Sequence, residues 1–436
     1  MTSIADIDIL IAALYPHIYQ ARVENLISPT SSLQPSENST AVHSFVDSFA
    51  ELFHFYPDCK TAAVASQSLL HQKMSLYICP SAPTPAGFEA DVKRWFTQFM
   101  DTRTASIEKA DSERERFIID VYSLCYAKMR QGAVVDDRVW TLFVNLSEPK
   151  NEKERGRRKA VSEKLANLST LVESFVDTIS REKPSLGVET RQFHDVCVNI
   201  CDAMKDNELK DYINKYLYVL GVDYLLQRFF RLPIAISNLL SSATKPELPF
   251  DGECPITVVD AGKLGARQFK ALLSAENLQE ILPGDVDWDE VRNAFIEDES
   301  GTLIEGLYWN PSDFVLSTGA PVTPHPEVTL IQDLLNKHNC DSDQGAAVTV
   351  YIACSTTPCY ATVVYAAAIN NVLQDRGKSF KFTLRTDDLT WCRLSTADPW
   401  ILVNMAEKDI VERLKETLLS ELRNMMDVWE KEQLFY

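Results

Sequence analysis

The first half of the chain is dominated by apolar residues at helical spacing. From residue 41 to 55 they recur every three or four positions, which places one apolar stripe along a helix. The same period returns in three further stretches, at 117–129, 161–179 and 193–204. Turn-forming sequences rich in Ser, Pro and Gly separate them. The pattern predicts a helical N-terminal region over residues 1–245.

The pattern changes after the segment 241–255, which contains three prolines and a glycine and predicts a domain boundary. Beyond it, apolar runs short enough for strands alternate with helical periods. We expect strands at 256–259, 302–309, 313–317, 346–353 and 380–385, and helices at 326–338, 360–373 and 401–432. The alternation from residue 313 onwards predicts a βαβαβ unit. The sequence therefore predicts an α + α/β protein whose α/β domain covers residues 255–436 and ends in a long helix.

Charge and cysteine content limit the classes of partner and the compartment. The chain has 43 Lys and Arg against 62 Asp and Glu, a formal net charge of −19, which argues against general nucleic-acid binding. The ten cysteines follow no disulfide framework, and the N-terminus lacks the basic residues of a signal peptide. We expect an intracellular protein without a membrane span. Because acids interleave the basic run 151–160, we favour the cytoplasm over the nucleus.

Two short motifs fall at the starts of the two helices predicted after residue 325. The first is His325-Pro326-Glu327, and the second runs from Pro358 through Cys359 to Thr362. A helix N-terminus carries a partial positive charge that favours a thiolate, and imidazole and thiolate groups bind zinc. Two adjacent helix starts can therefore bring these side chains to one metal ion.

The two motifs resemble those of the zinc-dependent nucleic-acid and nucleotide deaminase superfamily, which carries H-x-E on one helix and P-C-x-x-C on the next. The likeness is closest to the fungal-expanded branch, where a serine stands four residues before the first metal cysteine, as Ser355 does before Cys359. It covers roughly residues 255–400. The resemblance implies a three-layer α/β/α deaminase-like domain, with His325 and Cys359 as zinc ligands and Glu327 as the catalytic proton shuttle.

The chain departs from the deaminase pattern at Thr362, where the family has its second metal cysteine. A threonine hydroxyl is a poor zinc ligand, and its presence removes one negative charge from the site. Three alternatives follow. The domain keeps the fold without the metal; it binds zinc with Cys354 or Cys392 as substitute ligand; or the motif is coincidental and His325 caps a helix.

Two tryptophans follow the last predicted strand. Trp391 and Trp400 either line a pocket that stacks a base or bury the edge of the sheet. Two functions fit these patterns: hydrolytic deamination of a nucleobase or nucleotide, weakened or lost through Thr362, or a catalytically inactive protein that binds a protein partner through its helical region.

Overall fold

A computed structural model gives the fold of most of the chain. It describes residues 4–23, 40–68, 74–134, 161–180, 187–217, 230–245, 248–250, 254–272, 277, 280, 307–310, 315–340, 348–356, 358–385, 400–402 and 407–433. The chain divides into two compact units. The first comprises Met1–Ala50, Lys60–Pro85 and Pro249–Tyr436, and the second comprises Glu51–Cys59 and Ala86–Leu248. Both are rich in helix, and the first contains a mixed five-stranded sheet, so the α + α/β class is confirmed in this coarse form.

The five-stranded sheet of the first unit draws its strands from both ends of the sequence. Its strands are β1 (Ala62–Ser68), β2 (Met74–Pro80), β3 (Ile256–Val258), β7 (Val348–Cys354) and β8 (Phe380–Leu384). They lie in the order β3-β2-β1-β7-β8. The central strand β1 runs antiparallel to both of its neighbours, whereas the outer pairs β2–β3 and β7–β8 are parallel. The parallel pair β7–β8 is joined by a helix, as parallel strands require.

Strands β1 and β2 correct the predicted helical region over residues 1–245. Both fall inside that region, yet they pair within the sheet that the sequence assigned wholly to residues 255–436. The small residues Ala63 and Ala65 face the same buried core as Ile352 of β7. Because their side chains are short, a helix can pack closely over the middle of the sheet. The α/β domain predicted at residues 255–436 therefore leaves out two strands of this sheet, which lie within residues 62–80.

Helices lie on both faces of this sheet. On one face, α9 (Pro326–Cys340) packs over β1 and β2 and α10 (Tyr360–Asp375) packs against β8, and their buried side chains share one core with Val350 and Ile352 of β7. On the other face, α2 (Thr40–His54) contacts β7: His43 stacks on Tyr351 with ring centroids 3.7 Å apart, and the Tyr351 hydroxyl donates to Asp47. The strand β7 is thus covered on both sides, as its continuous apolar sequence predicts.

The described residues of the first unit also form a second, three-stranded sheet. It contains β4 (Lys270–Leu272), β5 (Leu307–Asn310) and β6 (Val315–Thr318) in the antiparallel order β4-β6-β5. The predicted strand 313–317 corresponds to β6, so the first strand of the predicted βαβαβ unit lies in this small sheet and not beside β7. Antiparallel pairing explains the difference, because β5 and β6 are consecutive in sequence and need only a short connection.

The terminal helices of the first unit pack together. Helix α1 (Ile4–Val23) contacts α11 (Lys408–Gln433), with Asp6 and Lys415 paired at 3.0 Å. Asp8 is buried and accepts two hydrogen bonds from Arg267, at 2.6 and 2.7 Å. Burial opposes its charge and raises the pKa of Asp8, although Arg267 acts in the opposite direction. This ion pair joins α1 to the loop before β4.

The second unit is helical throughout its described residues. Its helices are α3 (Phe88–Thr104), α4 (Ile107–Val134), α5 (Ser162–Ser180), α6 (Val188–Met204), α7 (Asn207–Tyr212) and α8 (Arg231–Ala243). Aromatic rings fill its core, including Phe175, which stacks on Phe193 and also contacts Phe230. Across the helices that the structure describes in the whole chain, none has the length and apolar character needed to cross a membrane.

Asn370 of α10 provides a test of this packing, because its side-chain amide bonds the backbone of Phe382 twice. Its Nδ2 donates to the Phe382 carbonyl at 2.8 Å, and the Phe382 N–H donates to Asn370 Oδ1 at 2.9 Å. The strand β8 is last in the sheet order, so these bonds occupy backbone groups at its outer edge. We predict that Asn370→Ala lowers the free energy of unfolding by about 2–4 kcal/mol, since two buried backbone groups lose their partners.

Urea unfolding of the purified chain measures this effect. The exposed neighbour Asn371 is the matched control, and Asn371→Ala should change the free energy of unfolding by no more than about 0.5 kcal/mol. Equal losses in the two variants would contradict the assignment of Asn370 to the edge of β8.

Candidate metal centre

His325 and Cys359, the candidate ligands of the two motifs, lie at the N-termini of α9 and α10. Pro326 occupies the first position of α9, where a missing N–H has no consequence, and the His325 carbonyl accepts the first helical bond from Thr329 N at 3.0 Å. Cys359 is the capping residue of α10, and its Sγ accepts a hydrogen bond from Thr362 N at 3.4 Å. Each helix therefore presents its positive end to the site.

The end of β7 holds the second helix start in place through Ser355. The Ser355 N–H donates to the Ala62 carbonyl at 2.8 Å, and the Ala62 N–H donates to Ser355 Oγ at 2.9 Å. The serine side chain thus extends the pairing of β1 with β7 by one residue. Ser355, which the resemblance singled out, acts here on the backbone of the turn that leads to Cys359.

Three candidate ligand atoms converge at this point. One ligand atom each of His325, Glu327 and Cys359 lies within 4.8 Å of the other two, and the three residues are 8%, 5% and 1% exposed. His325 Nδ1 is 3.4 Å from Cys359 Sγ and 3.5 Å from Glu327 Oε1. Tetrahedral zinc with ordinary bond lengths requires about 3.6 Å between nitrogen and sulfur and about 3.4 Å between nitrogen and oxygen. This buried group could therefore hold a metal ion.

Thr362 stands where the deaminase pattern has its second cysteine, and its hydroxyl contacts the same group. Its Oγ1 is 3.0 Å from Cys359 Sγ and donates to Glu327 Oε1 at 3.2 Å. The side chain is fully buried. The hydroxyl occupies the fourth corner of the cluster as a hydrogen-bonding group and brings no negative charge.

The electrostatic field of the cluster favours a positive charge at its centre. Burial alone would lower the pKa of His325, but the Cys359 sulfur and the Glu327 carboxylate outweigh it and raise the pKa well above 6.5. Burial likewise opposes the charge on Glu327, yet the hydrogen bond to His325 holds its pKa below the ordinary value. A proton on His325 or a divalent cation between the three atoms meets this requirement.

Of the two cysteines that the sequence offers as substitute zinc ligands, the structure describes only Cys354. Cys354, at the end of β7, is buried, but it is not a member of the group of converging ligand atoms found among the described residues. Burial raises the pKa of its thiol, with the Glu327 and Cys359 charges acting in the same direction, so the thiolate form is disfavoured. Cys392 lies outside the described residues. The group instead contains Glu327 as its third member.

The structure describes only one of the two tryptophans predicted to line an aromatic pocket. Trp391 lies outside the described residues. Trp400 is fully buried, its Nε1 donates to Thr362 Oγ1 at 3.1 Å, and its ring meets Tyr365 edge-on. This position favours the alternative in which Trp400 packs within the core, because a fully buried indole offers no face to a base.

The contact between Trp400 and Thr362 is the feature that motif analysis missed. The two residues are 38 positions apart, and no spacing rule connects the Trp400 indole N–H to the last residue of the second motif. A buried indole N–H requires an acceptor, so only a search for that acceptor among the buried hydroxyls would have found the pair.

No model of a known protein family matches this chain, and neither the curated proteins nor the solved structures include one with significant similarity to it. The interpretation of the site therefore depends on its own residues and geometry.

Replacement of the Thr362 hydroxyl tests the contacts of this cluster independently of any metal. Thr362→Val keeps the shape of the side chain but leaves the Trp400 N–H without its acceptor. We predict a loss of about 1–3 kcal/mol in the free energy of unfolding, the usual result of leaving a buried donor unpaired. Thr362→Ser, which keeps the hydroxyl, should lose less than Thr362→Val in the same urea titration. The reverse order would contradict the hydrogen bond.

Proposed function

We propose that this chain is a deaminase-like protein that binds zinc at His325 and Cys359, beside Glu327, and has lost efficient hydrolytic deamination of a nucleobase or nucleotide. The observation that carries the proposal is the convergence of three zinc-type ligand atoms at two helix starts, with separations of 3.4 and 3.5 Å around His325 Nδ1. A nitrogen, a carboxylate oxygen and a sulfur are all ordinary zinc ligands, and thiolate and imidazole favour zinc over magnesium or calcium.

The loss of activity is inferred from the residues around the metal position. Zinc, when bound, supplies a water whose pKa is lowered towards neutrality. His325 and Cys359 bind the zinc, and because both side chains are buried, bulk water is excluded from the site. Thr362 contributes a neutral hydroxyl where the family has a thiolate. The order of motifs, a sheet with helices on both faces and the position of Ser355 support the deaminase-like assignment, and Thr362 is the departure that separates it from an active enzyme.

A second candidate is a metal-free protein that acts only by binding a partner. It is favoured by the continuity of the hydrogen bonds around Thr362, whose hydroxyl contacts Trp400, Glu327 and Cys359 directly. In this case the helical unit, or the acidic surface that the net charge of −19 implies, would carry the interaction. Zinc content separates the two candidates.

The zinc site predicts about one zinc per chain in protein purified from zinc-supplemented medium, measured by elemental analysis. Cys359→Ala should lose this zinc, because the thiolate is the strongest zinc ligand of the group. Cys354→Ala is the matched control: it removes a buried thiol five residues earlier that lies outside the group, so zinc should remain. Absence of zinc from the wild-type protein would contradict the proposal. Loss of zinc from Cys354→Ala would assign the metal-ligand role to Cys354 in place of Cys359.

The proposed loss of activity predicts no turnover when the zinc-loaded chain is incubated with cytidine, adenosine, their bases and their nucleotides. Release of ammonia, together with the absorbance change of each base, measures turnover. Glu327→Gln is the control for contaminating deaminases, since any activity that persists in this variant does not come from the site. Turnover by the wild type that disappears in Glu327→Gln would show an active enzyme and contradict the proposal.

A further inference from the structure

We propose that Glu327 is the third ligand of the metal and not its proton shuttle, and that the Thr362 hydroxyl, anchored by Trp400, is the positioning group that holds the carboxylate in this role. The inference rests on the zinc site proposed above and goes beyond it by reassigning Glu327. It begins from the number of ligands. With Thr362 in place of a cysteine, His325 and Cys359 are only two, whereas protein zinc sites use three or four.

The position of the carboxylate supplies the missing ligand. Glu327 Oε1 lies 3.5 Å from His325 Nδ1, close to the separation of about 3.4 Å between two ligands of one tetrahedral zinc ion. The side chain is 5% exposed, so its oxygen is turned into the cluster and away from solvent.

The charge of the site leads to the same assignment. A zinc ion with two thiolates and a neutral imidazole has no net charge, and replacement of one thiolate by a threonine leaves a net charge of +1 in a buried site. Burial of an uncompensated charge is costly. With the Glu327 carboxylate as a ligand beside Cys359 the charges of the metal and its ligands sum to zero again.

The hydrogen bonds of Thr362 explain how the carboxylate is held. An indole N–H can only donate, so the Thr362 oxygen accepts from Trp400 and its own proton is directed elsewhere. Of its two remaining neighbours, sulfur is the weak acceptor and already receives the Thr362 N–H, so the proton goes to Glu327 Oε1. The acceptor role is compatible with the ionised carboxylate, which can only accept, and a metal ligand must be ionised in the same way.

Zinc affinity, measured by competition with a chromophoric chelator on the purified full chain, tests the proposal. We expect Glu327→Gln to weaken zinc binding by more than about 100-fold, since loss of an outer contact alone costs about 10–100-fold. Thr362→Val should weaken it by about 10-fold or more, because the carboxylate loses its positioning bond. The exposed Glu416 of α11 provides a matched control, and Glu416→Gln should leave the affinity unchanged.

Two further variants keep the test decisive. If Glu327→Gln does not fold, Glu327→Asp retains the charge but withdraws the oxygen by one methylene, and it should still weaken zinc binding about 10-fold or more. Adding Thr362→Cys to Glu327→Gln should return the affinity to within about 10-fold of the wild type, because a thiolate then takes the third position.

The outcomes separate this inference from the proposed function. Wild-type affinity in folded Glu327→Gln, or in folded Glu327→Asp, combined with lost binding in Cys359→Ala would show that zinc binds without Glu327 and overturn the inference alone. Absence of zinc binding in the wild type would overturn the proposed function and this inference with it.

Discussion

The pairing of β1 with β7 is the interaction on which the first unit depends. It joins residues almost 300 positions apart, as the bonds between Ala62 and Ser355 show, and it places β1 at the centre of the sheet. It also fixes the end of β7, from which the turn leads directly to Cys359. Contacts of such sequence separation form late and slowly in folding, because a long loop must close first. Most of the helical unit, Ala86–Leu248, lies within that loop in the sequence.

The parts of the fold that the sequence predicted are those with strong local patterns. The strand β7 has a continuous apolar run, α10 has a long apolar helical period, and β8 follows at the spacing of a βαβ unit. The two strands β1 and β2 were missed for a physical reason. In β1 the apolar part is made of alanines and one valine followed by Ser66 and Gln67, so local composition favours helix as much as strand. Strand β1 is determined by its pairing with β2 and β7, and β2 by its pairing with β1 and β3, and the pairings with β7 and β3 are tertiary interactions.

The site was predictable to a similar extent. His325, Glu327 and Cys359 were singled out from two motifs and their resemblance to the deaminase pattern, and helix starts, which are visible in sequence, bring their first residues to the same edge of a sheet. The ligand role proposed for Glu327 and the position of Trp400 were not predicted. Both depend on where buried side chains point, and the indole of Trp400 reaches Thr362 only because the chain returns to the start of α10 after β8. Motif spacing predicts which residues can lie close together, whereas the hydrogen-bond partners of each side chain in the folded structure indicate its role.

In the proposed zinc site, a threonine at position 362 in place of the cysteine of the deaminase pattern makes two functions compete for one carboxylate. A proton shuttle must be free to accept a proton from the metal-bound water and pass it on, whereas a ligand has its oxygen committed to the metal. A site with two thiolates can assign the metal to the cysteines and leave the glutamate free. In the group of ligand atoms found among the described residues only Cys359 offers a thiolate, so in the proposed site the metal and the proton transfer would both require Glu327. The hydroxyl of Thr362, which accepts from Trp400, donates to the carboxylate and under this proposal favours metal retention over catalysis. A buried zinc site without hydrolysis would then follow from a single residue, with no change in the surrounding fold.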